Sequence, residues 1–151
     1  MAGTHIQVDL KGLKRLQARI EKLGKPDRAK LLRGMGAEVE SQTRRRLSEE
    51  KTDADGAPWK DWTPGYAKSR HSGHSLLEGE GDLIDSINSQ VHGDTVEIGS
   101  NLVYAAIHQF GGAEAGMPFI PARPYLGLSS ENMTDVLGVV EDFLDDHLGA
   151  V

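Results

Sequence analysis

Histidines and carboxylates that lie close together are the first candidates for chemistry in this chain, which has six histidines and no cysteine. His71 and His74 are three residues apart, and Glu78 follows shortly after them. Zinc binds imidazole and carboxylate groups, but a structural site normally has four ligands at compact spacing. These residues lie in a Gly- and Ser-rich stretch without an HExxH pattern. We therefore expect a solvated loop and retain a small metal-dependent hydrolase as an alternative.

Other catalytic patterns are incomplete. Residues 53–56 resemble the start of a calcium loop, but aligning Gly56 with its invariant glycine places Lys51 and Trp62 where carboxylates are required. No GxSxG sequence presents a serine nucleophile. His108 lies on an apolar helical segment, where a packed or hydrogen-bonded histidine is the commoner case. The sequence thus predicts a protein that is not an enzyme and that has no catalytic, metal or cofactor site.

Contacts with another macromolecule are the remaining kind of chemistry. An arginine run falls in the last turn of a predicted helix, where cations suit the helix dipole. Three environments are possible for this arginine run: solvent at a helix end, an acidic neighbouring subunit, or nucleic acid. Two tryptophans lie in an irregular stretch and are expected to anchor it, and two aspartates lie at a helix C-terminus that favours a nearby cation. The candidate contact residues are Arg44, Arg45, Arg46, Trp59, Trp62, Asp145 and Asp146.

The N-terminal third predicts a strand and two helices. His5–Val8 alternates in polarity and ends at a capping Asp9. Apolar residues then recur at helical spacing from Leu10 to Leu23, and Gly24 and Pro26 are expected to end this first helix. A second helix, capped by Asp27, extends to Leu47. Its two glycines, Gly34 and Gly36, favour close packing against another backbone.

The central part predicts a hairpin. A short amphipathic turn begins at Asp82, and Gly93-Asp94 is a two-residue turn signal between residues 87–92 and 95–100. The turn sets the register and places the apolar side chains on one face. The predicted cross-strand pairs are Val91 with Val96 and Ser89 with Ile98.

The C-terminal part predicts two more helices. Residues 103–110 form the first, which ends at Gly111-Gly112. Prolines at spacing three favour an extended run over 118–124, and residues 125–128 are expected to continue as a strand. Ser129 or Ser130 caps the final helix, which has a regular apolar stripe.

These elements predict an α+β fold: a small antiparallel sheet packed against two N-terminal helices and one C-terminal helix, with long assembly loops. We expect a single domain over residues 1–151, an extended loop or arm over 48–75, and a mobile loop over 111–117.

Composition favours a soluble protein of a reducing cytoplasm. No apolar stretch approaches the ~18 residues of a membrane span, and no signal peptide is expected. The net charge of −6 is unevenly distributed. Residues 1–51 hold 13 Lys and Arg against 7 Asp and Glu, whereas residues 52–151 hold 4 against 16. Such a chain either neutralises itself on folding or joins copies head to tail.

Several segments that contain no catalytic pattern match the motifs of a known protein family. They include Asp55-Gly56-Ala57-Pro58-Trp59, Tyr104-Ala105-Ala106-Ile107-His108-Gln109-Phe110-Gly111, and Pro121-Ala122-Arg123-Pro124-Tyr125-Leu126-Gly127. Over roughly residues 5–147 the chain resembles the phage virion morphogenesis, or tail completion, family of long-tailed and Mu-like phages. Where members often read Asp-Thr-Gly-Arg-Leu, this chain has Asp82 in place of the basic residue. The motif residues with an expected structural role are Gly56, Pro58, Tyr104, His108, Gln109, Phe110, Gly111, Pro121, Arg123 and Pro124.

The resemblance implies a structural protein of the virion neck, which completes the tail and joins it to the head as a ring-forming subunit. The implied partners are further copies of the chain and neighbouring neck and tail proteins (connector, tail terminator or tail tube), with non-specific proximity to DNA in the channel and no membrane. The implied location is the virion, after assembly in the bacterial cytoplasm. A transient assembly factor, absent from the finished particle, is the alternative.

Overall fold

The computed structural model describes residues 3–62, 64, 68, 76–77 and 81–149. The strands are β1 (Thr4–Asp9), β2 (Asn88–His92) and β3 (Thr95–Ser100). The α-helices are α1 (Gln17–Ile20), α2 (Lys25–Arg45), α3 (Asp82–Ser86), α4 (Ala105–Phe110) and α5 (Ser130–Leu148). Short 3-10 turns cover Leu10–Gly12, Lys14–Leu16 and Ala113–Ala115, and a π-helical turn, Arg46–Glu50, continues α2.

The three strands form an antiparallel sheet in the order β1-β3-β2. The hairpin β2–β3 has the predicted register, with Val91 opposite Val96 and Ser89 opposite Ile98. β1 closes the other side of β3, with Ile6 opposite Ile98. The two-residue turn Gly93-Asp94 thus fixes which side chains enter the core, because a one-residue slip would invert both faces.

Helix α2 lies between the sheet and α5, and its two mid-helix glycines explain how it fits there. A Cβ on Gly36 would lie 2.8 Å from Ser89 Oγ and 2.9 Å from Val96 Cγ2 of the sheet. A Cβ on Gly34 would lie 3.6 Å from Val139 Cγ1 of α5. Close packing is therefore present at Gly36, but it is against side chains of the sheet and not, as the sequence suggests, against another backbone.

The first predicted helix is wrong in type, although its apolar stripe is right. Residues 10–16 form two 3-10 turns separated by Leu13, whose ψ of 61° is not helical, and only Gln17–Ile20 is α-helical. The stripe begins with a spacing of three residues, at Leu10, Leu13 and Leu16, which is the 3-10 repeat. All three are buried. The spacing therefore follows the buried face but does not distinguish the two helix types.

The start of α2 also differs from the prediction. Its N-cap is Gly24 rather than Asp27, so Pro26 lies in the first turn of α2 instead of following the end of an earlier helix. Proline is favourable there because its missing N–H has no partner in a first turn. Asp27 is then an acidic residue of that turn, where it suits the helix dipole.

Residues 125–128 are not a strand. The N–H groups of Tyr125 and Leu126 donate to the side chain of Gln109 instead of to a neighbouring strand. Ser129 caps α5 as predicted: it accepts from Asn132 N, and Asn132 Oδ1 accepts from Ser129 N. The α+β class is confirmed, with one long helix, α2, between the sheet and a second long helix, α5.

Candidate functional site

The two most specific motif segments bind each other through Gln109. Its Oε1 atom accepts from both Tyr125 N and Leu126 N at 3.0 Å, and its Nε2 atom donates to Leu126 O at 3.1 Å. Arg123 N donates to His108 O at 2.7 Å in the same region. One amide side chain on α4 therefore takes the place of a partner strand for the extended segment.

Tyr125 connects this segment to α4 and α2. Its hydroxyl group donates to Ala105 O at 2.8 Å, and its carbonyl oxygen accepts from Arg46 Nη1 at 2.9 Å. Arg46 Nη2 donates to Asn132 Oδ1, the side chain that completes the α5 cap, at 2.5 Å. Arg46 is only 2% exposed. It joins α2, the motif segment and α5 from inside the subunit.

Both hydrogen bonds of Arg46 go to neutral oxygens, so its charge is not neutralised by direct contact with them. Burial lowers the pKa of Arg46, and the carboxylate of Glu50 partly opposes this effect. A buried guanidinium group is tolerated when its donors are satisfied, because leaving such a group unpaired is strongly destabilising. Arg46 is therefore an internal structural residue. Its place in the arginine run suggests a contact with a partner, but its side chain presents almost no exposed surface to a neighbouring subunit.

Trp59 and Arg123 attach the segment that follows α2. Trp59 is buried, and its Nε1 atom donates to Pro124 O at 2.7 Å. Arg123 is also buried and donates from Nε to Lys60 O at 2.7 Å and from Nη2 to Asp61 O at 3.2 Å. Trp59 thus anchors this segment onto the protein's own core, whereas Trp62 is half-buried. We call this internal network, formed by Arg46, Trp59, Gln109, Arg123 and Tyr125, the motif clamp.

The turn before Trp59 is held by Asp53. Its Oδ1 atom accepts from Asp55 N and Ala57 N, both at 2.9 Å. Gly56 has a φ of 90°, a conformation that glycine adopts without strain. Pro58 pairs with Thr52 across the turn. The Asp-Gly-x-Pro-Trp motif thus shapes a compact turn that delivers Trp59 to the clamp.

His108 lies on α4 beside the clamp. It is half-buried, its ring meets Tyr104 edge to face at 5.6 Å, and its Nδ1 atom has no hydrogen-bond partner in the described part of the chain. Burial, and to a smaller extent the charge of Arg123, lower the pKa of His108. The neutral imidazole is therefore the form that fits this position.

The arginine run divides into three different environments. Arg44 Nη2 donates to Glu40 Oε1 at 3.1 Å and also donates to Ile87 O, which ties α2 to the sheet region. Arg45 is exposed, at the edge of a cleft, and Arg46 is internal. Arg45 is thus the most exposed of the three, and the paired Arg44 side chain is partly exposed. The partner of Arg45 stays a prediction.

One of the two aspartates at the C-terminal end of α5, Asp145, lies beside a cation, which the negative end of the helix dipole favours. Arg19 Nη2 lies 3.1 Å from Asp145 Oδ1 and donates to Gly149 O at 2.8 Å. Arg15 pairs with Glu141 one turn earlier. The expectation of a nearby cation is confirmed for Asp145, and the cation comes from the same chain. Asp146 is exposed.

An acidic cleft of about 520 Å³ opens where the end of α2 faces the start of α5. Its acidic side chains are Glu50, Asp53, Asp55, Glu131 and Asp135. Arg45 is also part of its wall. Several of these carboxylates are exposed and have no ion pair with the rest of the described chain, so the cleft presents a negative surface.

The comparisons with known proteins identify the family. The model of the phage virion morphogenesis family matches residues 8–145. The chain belongs to this family. It is 30% identical to the putative capsid assembly protein G of Escherichia phage Mu over 137 residues, which are 85% of this chain and 87% of that protein. It is 32% identical to the Mu-like prophage FluMu G protein 2 of Haemophilus influenzae over 143 residues, 91% and 95% of the two chains. No solved structure gives a significant match.

Most motif residues of this family member thus have internal roles. Gly111 has a φ of 83°, and a Cβ there would lie 3.0 Å from Ala122 N, so glycine permits the chain to turn back at the end of α4. Pro121 lies in the segment that returns. Phe110 and Tyr104 differ from these, since both side chains are exposed. Asp82, which replaces the family's basic residue, is exposed in the first turn of α3.

Sequence reasoning missed the central role of Arg46 and Asn132. Asn132 follows Ser129 by three residues, which is the spacing of a capping box and the available signal for this contact. Nothing in the local sequence indicates that a guanidinium group 86 residues away shares it.

The alternative metal site cannot be placed. His71, His74 and Glu78 lie outside the described residues. Within residues 3–62 and 81–149, no cluster of three or more potential ligands could hold a metal ion. No helix in the described part of the chain is long and apolar enough to cross a membrane.

Proposed function

We propose that this protein is a structural subunit of the phage neck, which completes the tail and joins it to the head as part of a ring. The observation that carries the proposal is the separation of its unpaired charges. Lys11, Lys14, Lys22 and Lys25 are exposed and make no ion pair with the described residues, and they flank Arg15 and Arg19, which pair with the C-terminal half of α5. The acidic cleft lies at the other end of that helix.

The distance between these surfaces favours head-to-tail contact. Helix α5 has 19 residues and is therefore about 28 Å long at a rise of ~1.5 Å per residue. Surfaces of opposite charge at its two ends cannot pair within one subunit. Between subunits they form a heterologous contact, which closes into a ring when the rotation permits.

Family membership supports the wider role. The phage Mu relative is described as a putative capsid assembly protein. That description fits a protein of particle assembly, and it also fits the alternative in which the chain acts transiently and is absent from the finished particle. Mass spectrometry of purified virions separates the two: stoichiometric amounts of the chain support the neck subunit, and its absence supports the assembly factor.

Two experiments test the neck role. Deletion of the gene is expected to give separate heads and tails by electron microscopy, with joining restored by the wild-type gene. In the purified protein, Lys14→Glu with Lys22→Glu is expected to disrupt closed oligomers. Asp55→Lys with Asp135→Lys in the cleft should restore them in the same chain.

Lys60→Glu is the control, because it makes the same type of charge reversal, at one position, outside both surfaces. Normal particles in the deletion strain, or a strictly monomeric wild-type protein, would contradict the proposal.

A further inference from the structure

A cluster of exposed apolar side chains surrounds α4. Val103, Phe110 and Phe119 are 76%, 71% and 77% exposed, and Tyr104 is also exposed. Among the described residues, the one further large apolar side chain with such exposure is Leu148 at the end of α5. We call Val103, Tyr104, Phe110 and Phe119 the apolar patch.

The backbone brings the members of the patch together. Val103 and Tyr104 lie in the turn that leads into α4, and Phe110 is the last residue of this six-residue helix, so only about 9 Å of helix separates Phe110 from the other two. The following loop returns to the helix end, because Gly112 N donates to Ile120 O at 3.0 Å. Phe119 is therefore one residue from the point at which the chain meets α4 again.

The patch is large enough to form the centre of a protein interface. With full side-chain areas of roughly 150–250 Å² for an aromatic residue, the four exposed parts amount to on the order of 500 Å². Patches of that size on a monomer are commonly functional. A stable interface buries about 800 Å² on each partner, so a polar rim must supply the remainder.

Hydrogen bonds position the patch in the folded subunit. Gln109 fixes α4 to the motif clamp, and Met117 N donates to Gly112 O at 2.8 Å inside the loop. A surface that is ordered before binding loses little conformational entropy on association. Exposed aromatic side chains on a rigid support are the usual anchors of interfaces.

Charge identifies the partner. Each copy has a net charge of −6, so contacts between copies are repulsive on average, apart from the proposed contact between the lysine-bearing and acidic surfaces. Residues 98–122 include one acidic or basic side chain apart from histidine, Glu114. Burial, and after it the charge of Asp82, raise the pKa of Tyr104. The centre of the patch can meet its own copy without repulsion.

We propose that the apolar patch pairs with the same patch on a second copy, in a two-fold contact. The described part of the chain offers no second apolar cluster that could receive the patch in a head-to-tail arrangement. Self-pairing buries the patch of both copies in one contact, because a two-fold contact uses the same surface on each copy. This contact does not depend on the proposed neck role, because it closes after two copies and uses a surface other than the charged ends of α5.

Sedimentation velocity on the full chain tests the pairing, at roughly 1–100 μM protein and at low and high salt. We expect a contact that persists at high salt, where charged contacts are screened. Phe110→Ser with Phe119→Ser should weaken it on the order of 100-fold or more, because each aromatic anchor contributes substantially. Both side chains are largely exposed, so circular dichroism and the unfolding midpoint should remain those of the wild type.

Leu148→Ser is the control, since it removes an exposed apolar side chain outside the patch and should leave pairing intact. A wild-type protein that is monomeric at 100 μM overturns the proposal. If such a monomer nevertheless needs Phe110 and Phe119 for phage assembly, the patch belongs to a different phage protein. Salt-resistant association that is unchanged in the Phe variant also overturns the pairing, and salt-sensitive rings in that variant leave the neck role standing. Salt-resistant dimers of the wild type that form no rings support the pairing and count against the neck role.

Discussion

Two sets of arginines divide the molecule into an internal region and an external one. Arg46 and Arg123 are buried, and their guanidinium groups donate to backbone carbonyls and to the Asn132 side chain. Arg15 and Arg19 lie at the surface and pair with Glu141 and Asp145 of α5. The same side chain thus connects distant segments in one region and balances charge in the other.

The two sets of arginines differ in their contribution to stability because water reaches one set and not the other. A buried donor that loses its partner leaves both groups unsatisfied, which costs about 1–3 kcal/mol for each neutral group and more for a charged one. An exposed ion pair that is broken regains hydration on both sides, and such pairs contribute about 0–1 kcal/mol. The motif clamp should therefore determine whether the subunit folds, and the surface charges should determine what it meets.

The strongest test of this comparison is Arg46→Leu. Removal of the buried guanidinium group leaves Tyr125 O without its donor and removes one of the two donors of Asn132 Oδ1, which keeps Ser129 N, so we expect a loss of about 3 kcal/mol in the free energy of unfolding. Urea denaturation measures the loss. Arg45→Leu is the control at the adjacent exposed position, and it should change stability by less than about 0.5 kcal/mol. Equal effects of the two substitutions would remove the distinction.

Gln109→Leu comes next in size. It deprives Tyr125 N and Leu126 N of their common acceptor and Leu126 O of its donor, with an expected loss of about 2 kcal/mol. Gln109→Glu keeps an acceptor for the two N–H groups and should lose less. Gln90→Leu, at an exposed position of β2, controls for the change in side-chain type. Thermal and urea unfolding provide the measurement, and a neutral Gln109→Leu would show that the motif segment is held by packing alone.

His108 adds a pH dependence to the internal region. Its pKa is lowered in the folded state, so the folded protein binds this proton less readily than the unfolded chain does. Its contribution to stability is present above the unfolded pKa of about 6.5 and is lost as the pH falls through the folded pKa.

We therefore expect wild-type protein to lose more stability than His108→Gln between pH 8 and pH 5, by an amount smaller than the losses above. Urea midpoints at the two pH values measure it. His92→Gln, at an exposed position of the sheet, is the control for removal of a histidine. A larger loss in His108→Gln than in wild type would reverse the sign and contradict burial of a neutral imidazole.

The local parts of the fold are readable in the sequence because local chemistry determines them. Gly93-Asp94 sets the hairpin register, and Ser129 with Asn132 caps α5. The strand predicted over residues 125–128 fails because Gln109, 16 residues away, replaces the partner strand. No periodicity in the extended segment records that contact.

The candidate site was harder to read for the same reason. Three consecutive arginines suggest one basic surface, yet α2 turns each to a different side, and a π-helical turn places Arg46 inward. Direction around a helix follows from spacing. The residue that each arginine contacts depends on tertiary packing, which no local pattern in the sequence records. The uneven charge was visible in the sequence, and the structure shows which part of it is neutralised within the subunit.

The smallest effect concerns that neutralised part, the pair Arg19–Asp145. A double-mutant cycle of Arg19→Ala and Asp145→Ala should give a coupling energy of about 0.5 kcal/mol or less, because Asp145 is well exposed and solvent screens the pair. Since Arg19 also donates to Gly149 O, the single substitution Arg19→Ala should cost more than Asp145→Ala. The coupling should fall further at 0.5 M salt, where screening acts within a few ångströms. A coupling energy above about 2 kcal/mol that persists at 0.5 M salt would contradict this prediction. The Arg19–Asp145 pair would then stabilise the fold as Arg46 does, and the basic N-terminal segment would act within the subunit instead of being available to its neighbours.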